Sequence, residues 1–196
     1  MKFTIYQASR QGGRKNNQDR VAYSYSRDAL LMVVADGMGG HMHGEIAAQI
    51  AVQTLTDQFQ KLAKPRLADP MAFLADTITH AHFAINDYAV EQDLLEIPHT
   101  TIVAAVVQDN TAYWAHVGDS RLYLFSDGGL IARTEDHTAV AQLVRNGIIS
   151  EEEAGHHPER NKVSNCLGGY IAPQVECNAP IPLHDADTML LCTDGI

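Results

Sequence analysis

The sequence predicts an α+β fold of antiparallel sheets with helices outside them, and three features carry that prediction. Strand-like runs are joined by short turn signals. Two long amphipathic helices arrive as one block. Strands and helices do not alternate as a doubly wound parallel fold requires. A chain of 196 residues suits one domain with a sizeable core.

Taken in order, residues 3–8 alternate loosely and read as a first strand. Residues 21–26 place β-branched or aromatic side chains at alternate positions. Residues 30–35 form a continuous apolar run that meets a turn signal at Asp36-Gly37. Residues 44–63 are a helix, with Ala47, Ala51, Leu55, Phe59 and Leu62 at three- and four-residue steps and Ile46 and Ile50 widening the stripe. Asp69-Pro70 opens a second helix with a capping acid and a proline in its first turn. Met71, Leu74, Ile78, Ala81, Ile85 and Ala89 then share a face.

Strand chemistry returns at 101–107 and 111–117, a hairpin whose turn, Asp109-Asn110, tolerates left-handed backbone. Residues 121–125 and 130–133 form a second hairpin around Ser126-Asp127-Gly128-Gly129. A helix over 138–146 follows, then a polar stretch over 150–161 in which Glu151-Glu152-Glu153 reads as a solvated helix start. A last strand pair is expected at 174–177 and 188–193.

Composition limits the function classes. Lys and Arg number 14 against 24 Asp and Glu, a formal charge of −10, which opposes non-specific binding to nucleic-acid phosphates and suits a cation-binding protein. No apolar run approaches the ~18–20 residues of a membrane span. Residues 1–10 lack the basic and apolar regions of a secretory signal. Cys166, Cys177 and Cys192 are odd in number and have no CxxC spacing, so a disulfide framework is excluded and a cytoplasmic location is expected. The strand near the end has no polar tail, so residues 1–196 are expected to form a single domain that is incomplete at its C-terminus.

The most informative feature is an internal echo. Residues 31–38 (LMVVADGM) and 189–196 (MLLCTDGI) share one pattern of apolar strand, Asp-Gly and apolar residue. Asp119 ends a third strand, and Asp19 stands before the second. Any one Asp-Gly can simply make a turn, as Asp127-Gly128 does. Acids gathered at strand ends have a second reading. Two unit charges at ~4 Å repel by about 4 kcal/mol at an effective dielectric of ~20, so clustered carboxylates need protons or cations. Hard divalent ions with oxygen ligands, Mg²⁺ or Mn²⁺, meet that need.

Four motifs then stand in a fixed order: RKNNQD at 14–19, VADGMGGH at 34–41, Gly118-Asp119-Ser120-Arg121, and Cys192-Thr193-Asp194-Gly195. They resemble the motifs of the metal-dependent protein serine/threonine phosphatases of the type 2C class, in bacterial form. The likeness runs along the whole chain and includes Asp136-His137-Thr138. Residues 143–168 resemble the family's mobile flap.

The resemblance implies a four-layer α-β-β-α sandwich, here lacking its C-terminal strands, with a two-metal centre at the strand ends. Asp36 would bridge both metals, the Gly37 carbonyl would bind one, Asp194 the other, and Asp19 would hold metal-bound water. Asp119 resembles a ligand of a further, weaker metal, and Arg14 matches the arginine that grips the substrate phosphate through its bidentate fork. The implied chemistry is attack on phosphorus by a water bridging two Mn²⁺ or Mg²⁺ ions, with no phosphoenzyme. The implied partners are phosphorylated proteins and a cognate serine/threonine kinase.

Three departures accompany the likeness. Gln18 replaces a glutamate found in many members. Met38 occupies the position of a histidine proposed as general acid in animal members, and nearby His41 reads either as an exposed loop histidine or as a catalytic one. The family's last acid, in an Asp-Asn motif beyond the second Asp-Gly strand, is not in this sequence, which predicts a weakened metal site and an unpaired sheet edge. That last departure keeps open a rival reading, a catalytically impaired phosphatase-like binding or regulatory module. Zinc is disfavoured because His41 and His43, like His80 and His82, are two residues apart, where helical zinc pairs take four. No Walker loop or GxGxxG occurs.

Overall fold

The computed structural model describes residues 2–38 and 43–195. His41 therefore lies outside the described residues. Fourteen elements follow one another: β1 (Asp19–Tyr25), β2 (Ala29–Met38), α1 (Gly44–Leu62), α2 (Pro70–Glu91), β3 (His99–Thr100), β4 (Ile102–Gln108), β5 (Thr111–Val117), β6 (Arg121–Ser126), β7 (Gly129–Arg133), α3 (Ala139–Arg145), α4 (Glu151–His156), β8 (Glu176–Cys177), β9 (Ile181–Pro182) and β10 (Thr188–Cys192).

They build two antiparallel sheets. The larger runs β1-β2-β4-β5-β8, with β3 on β2 and β9 on β5, and the smaller runs β10-β6-β7. Strand alternation sorts β2 between two cores. Leu31, Val33 and Ala35 join α1 and α2 in one core, where Leu55, Phe59, Leu74, Ile78 and Ile85 are buried. Val34 points the other way, into a core between the sheets shared with Trp114, Leu122 and Leu124.

Local chemistry explains most boundaries. Asp69 caps α2 by accepting from the amides of Met71 and Ala72, both at 3.0 Å. Thr138 caps α3, and Ser150 and Glu153 form a reciprocal capping box on α4. Asp109 and Asn110 are both left-handed, the backbone that a tight hairpin turn needs. Asp127-Gly128 likewise makes an ordinary turn, with positive φ at both residues.

The structure corrects four local expectations. Residues 3–8 form no strand, because no neighbouring strand pairs with them among the described residues. Asp36-Gly37 does not end β2; the strand continues to Met38, held by pairing of Gly37 with Thr100 in β3. Met71 is only partly buried, and Phe73 fills the core place at that end of α2. The two late strands are not partners: β8 joins β5 in the large sheet, whereas β10 joins β6 in the small one. Among the described residues, α3 and α4 pack on each other, and the small sheet leaves Leu130, Ile131 and Leu190 exposed on its strands β7 and β10.

Candidate active site

Topology alone brings the acids together. β1 is antiparallel to β2, so Asp19 at its start meets Asp36 near the end of β2. β4 is antiparallel to β2 and β5 to β4, so β5 ends on the same side, and Asp119 follows it. β6 starts there and runs away; β10 returns antiparallel to it, with Cys192 opposite Arg121, and delivers Asp194 to the same end. Asp19 and Asp36 share strand parity with Val21 and Val34, which face the core between the sheets. Both carboxylates thus stand where that layer opens.

Electrostatics registers the convergence. Burial, then the charges of Asp19 and Asp194, a hydrogen bond with Asp19 and the charge of Asp119 push the Asp36 carboxyl up to about 7. Asp119 is also raised, by burial first and then by Asp194 and Asp136. The Thr193 hydroxyl donates to Asp19 at 3.4 Å. Arg14, Asp19, Asp36, Gly37, Asp119 and Asp194 all line one open cleft of about 2120 Å³. Arg14 sits in a turn closed by its own amide on the Gln11 carbonyl at 3.3 Å, and among the described residues its guanidinium has no carboxylate partner.

The backbone beneath the acids is tightly fitted. A Cβ on Gly37 would overlap the Gly44 carbonyl at the start of α1, so only glycine lets the helix approach this closely. Gly118 has φ +107° and presses on Thr101, whose hydroxyl meets Ser120 at 2.7 Å. Thr101 also accepts from the Asp36 amide at 3.3 Å, and Thr100 donates to the Asp36 carbonyl at 2.8 Å. Gln18 donates to Glu45 at 3.4 Å, tying the Asp19 approach to the first turn of α1. Arg121 grips Asp136 through two bonds of 2.7 and 2.6 Å, which raises the guanidinium further above its ordinary value. The sequence assigned no role to Thr100, Thr101 or Ser120, although Ser120 stands inside the motif at 118–121. Their hydrogen bonds could not be read from spacing, because the partners lie 19 to 65 positions away.

The donor set fits hard divalent ions: carboxylates with a backbone carbonyl beside them, the Asp36 carboxyl being raised first by burial and then by its acidic neighbours. The acids spread wider than one ion's ligands. Among the described residues, only His116, His137 and Glu176 have donor atoms all within 4.8 Å of one another. That second cluster is wired as a hydrogen-bond network. His137 Nδ1 already accepts from the Gly118 amide at 3.1 Å and from Asn165 at 2.8 Å, so the ring proton is on Nε2, which donates to Glu176 at 3.2 Å. His116 stacks on His137 at 4.5 Å, which leaves their in-plane lone pairs nearly parallel rather than convergent.

Comparison with known proteins decides the family. The family model described as Protein phosphatase 2C matches residues 7–196. The chain belongs to the protein phosphatase 2C family. It is 36% identical over 186 residues to the serine/threonine phosphatase stp of Listeria monocytogenes, covering 93% of this chain and 73% of that protein. The crystal structure of the Mycobacterium tuberculosis serine/threonine phosphatase PstP superposes with a TM-score of 0.80 at 33% identity, covering 93% and 74% of the two chains. A PstP catalytic domain in complex with two manganese ions superposes with a TM-score of 0.75 at 32% identity, covering 93% and 73%. This protein phosphatase 2C chain is thus a serine/threonine phosphatase of bacterial form, built on the two flanked antiparallel sheets expected of it. No helix among its described residues is long and apolar enough to cross a membrane.

Proposed function

We propose that residues 1–196 act as a single phosphatase domain that hydrolyses phosphoserine and phosphothreonine in proteins, using two Mn²⁺ or Mg²⁺ ions. The observation that carries the reading is the elevated Asp36 carboxyl, surrounded by three other acids in a cleft that also contains Arg14. Asp36 and the Gly37 carbonyl, with Asp194 and Asp19, would hold the ions, and Asp119 a further, weaker one. When bound, the ions would supply an acidified bridging water as the nucleophile and neutralise phosphate charge.

The chain's own residues do the rest. Arg14 binds the phosphate oxygens and orients the ester, as the fork of a guanidinium does best. Asp36, its carboxyl raised by burial and its acidic neighbours, would release its proton to bulk water on holding a cation. Thr193 holds the Asp19 carboxylate in place. Thr100 and Thr101 fix the backbone of Asp36. The natural substrates are then phosphorylated cytoplasmic proteins, opposed by a serine/threonine kinase.

The test is Mn²⁺-stimulated hydrolysis of a phosphothreonine peptide by the 196-residue chain, beside Asp36→Ala. Activity lost in the variant supports the enzyme. Equal, negligible rates in both would instead favour a phosphatase-shaped binding or regulatory module.

A further inference from the structure

His137 occupies a junction that the site above does not use. Its amide donates to the Gly118 carbonyl at 3.0 Å, and its Nδ1 accepts from the Gly118 amide at 3.1 Å. Both polar groups of the residue before Asp119 thus end on one histidine. On its other side, the His137 carbonyl accepts from the Ser164 amide at 2.8 Å and the Ser164 hydroxyl at 2.9 Å. Nδ1 accepts also from Asn165, whose amide orientation is fixed because it donates to the Gln174 carbonyl at 2.7 Å and accepts from the Gln174 amide at 3.1 Å.

Gly118 cannot hold its place by local preference. It sits at φ +107°, with Thr101 against it, and needs an external anchor for its amide. The ring supplying that anchor is itself fixed. Nε2 meets Glu176 at 3.2 Å, and one face stacks on His116, which is buried, bonded to the Glu135 carbonyl at 2.7 Å and lowered in pKa chiefly by burial.

We infer that His137 is a positioning residue that ties residues 164–165, at the end of the flap-like segment, to the turn presenting Asp119. Displacement of those residues is transmitted through one imidazole to the Gly118 amide, and so to the carboxylate one residue on. The functional consequence rests on the proposed role of Asp119 as a metal ligand. The mechanical tie does not.

The test combines NMR with calorimetric Mn²⁺ titration. In the unmodified chain, long-range ¹H–¹⁵N spectra show His137 with its proton on Nε2. His137→Ala speeds exchange of the Gly118 amide by about tenfold or more, since a buried donor loses its acceptor. It also raises the Mn²⁺ concentration needed for the weaker uptake. His137→Asn returns an acceptor oxygen to the Nδ1 place and restores both readouts, whereas His137→Gln, with its oxygen one bond farther out, does not. A proton on Nδ1, unchanged Gly118 exchange in the alanine variant, or equal behaviour of the Asn and Gln variants overturns the inference. If His137→Ala does not fold, the tautomer of the unmodified chain decides. If exchange follows the expected pattern while the unmodified chain takes up no manganese, the tie stands and the metal reading falls.

Discussion

Asp19 and Asp36 face each other directly across the β1–β2 ladder, so one cross-strand pair of a half-buried sheet is made of two carboxylates. Like charges so placed are destabilising by up to about 1 kcal/mol. The pair also shares a hydrogen bond that helps keep Asp36 protonated. Stability is given up here for a concentrated negative site, a conflict that the proposed cations would relieve.

Asp36→Asn should therefore move stability and activity in opposite directions. The metal-free variant is expected to melt about 2–4 °C higher than the unmodified chain, the shift that ~1 kcal/mol gives in a domain of this size. Manganese uptake and peptide hydrolysis should both disappear. Calorimetry with and without a chelator reads the first, and titration and phosphate release read the others.

The pH dependence has a definite sign. The folded chain holds the Asp36 proton up to about pH 7, whereas an unfolded carboxyl releases it near its ordinary value of 3.8. Folding thus takes up a proton between those values. The contribution is fully present below about pH 4 and is lost as pH rises through about 7. Scanning calorimetry of chelator-treated protein should show the contribution of this group declining across that window, with Asp36→Asn removing the decline. Saturating Mn²⁺ should restore the midpoint at neutral pH, because the cation replaces the proton.

Arg14 tests the substrate side of the cleft. Arg14→Ala is expected to lower kcat/KM for a phosphothreonine peptide by about 10- to 100-fold, the scale of a lost charge-assisted hydrogen bond. Mn²⁺ binding should stay unchanged, because Arg14 lies on the exposed 6–16 segment and makes no ion pair with the acids among the described residues. Arg14→Lys should recover only part of the loss. A parallel fall in metal affinity would assign Arg14 to the wrong function.

Gly37→Ala probes the join between acid and helix. The added methyl would overlap the Gly44 carbonyl, and backbone cannot yield as a flexible side chain can. Overpacking of this kind costs about 1–3 kcal/mol. Thermal unfolding should register that loss, and Mn²⁺ titration should show weaker uptake, as α1 and the end of β2 are forced apart.

Much of the site was legible because acids at strand ends leave a linear trace. LMVVADGM and MLLCTDGI print the same strand-to-acid pattern twice, and Asp109-Asn110 and Asp69-Pro70 carry their turn and cap chemistry in adjacent residues. Residues 3–8 show the opposite case. Alternation made them strand-like, but a strand is a relation between two segments, and the second one is not beside them.

The sequence by itself determined the helices, the hairpins and the acids at strand ends, since each depends on residues a few positions apart. Tertiary structure alone decided that Asp19 pairs with Asp36, that β8 and β10 part into different sheets, and that His137 reaches Gly118 and Asn165 at once. Those contacts join residues from 17 to 28 or more positions apart, and only strand direction and sheet order bring them within hydrogen-bond or charge range.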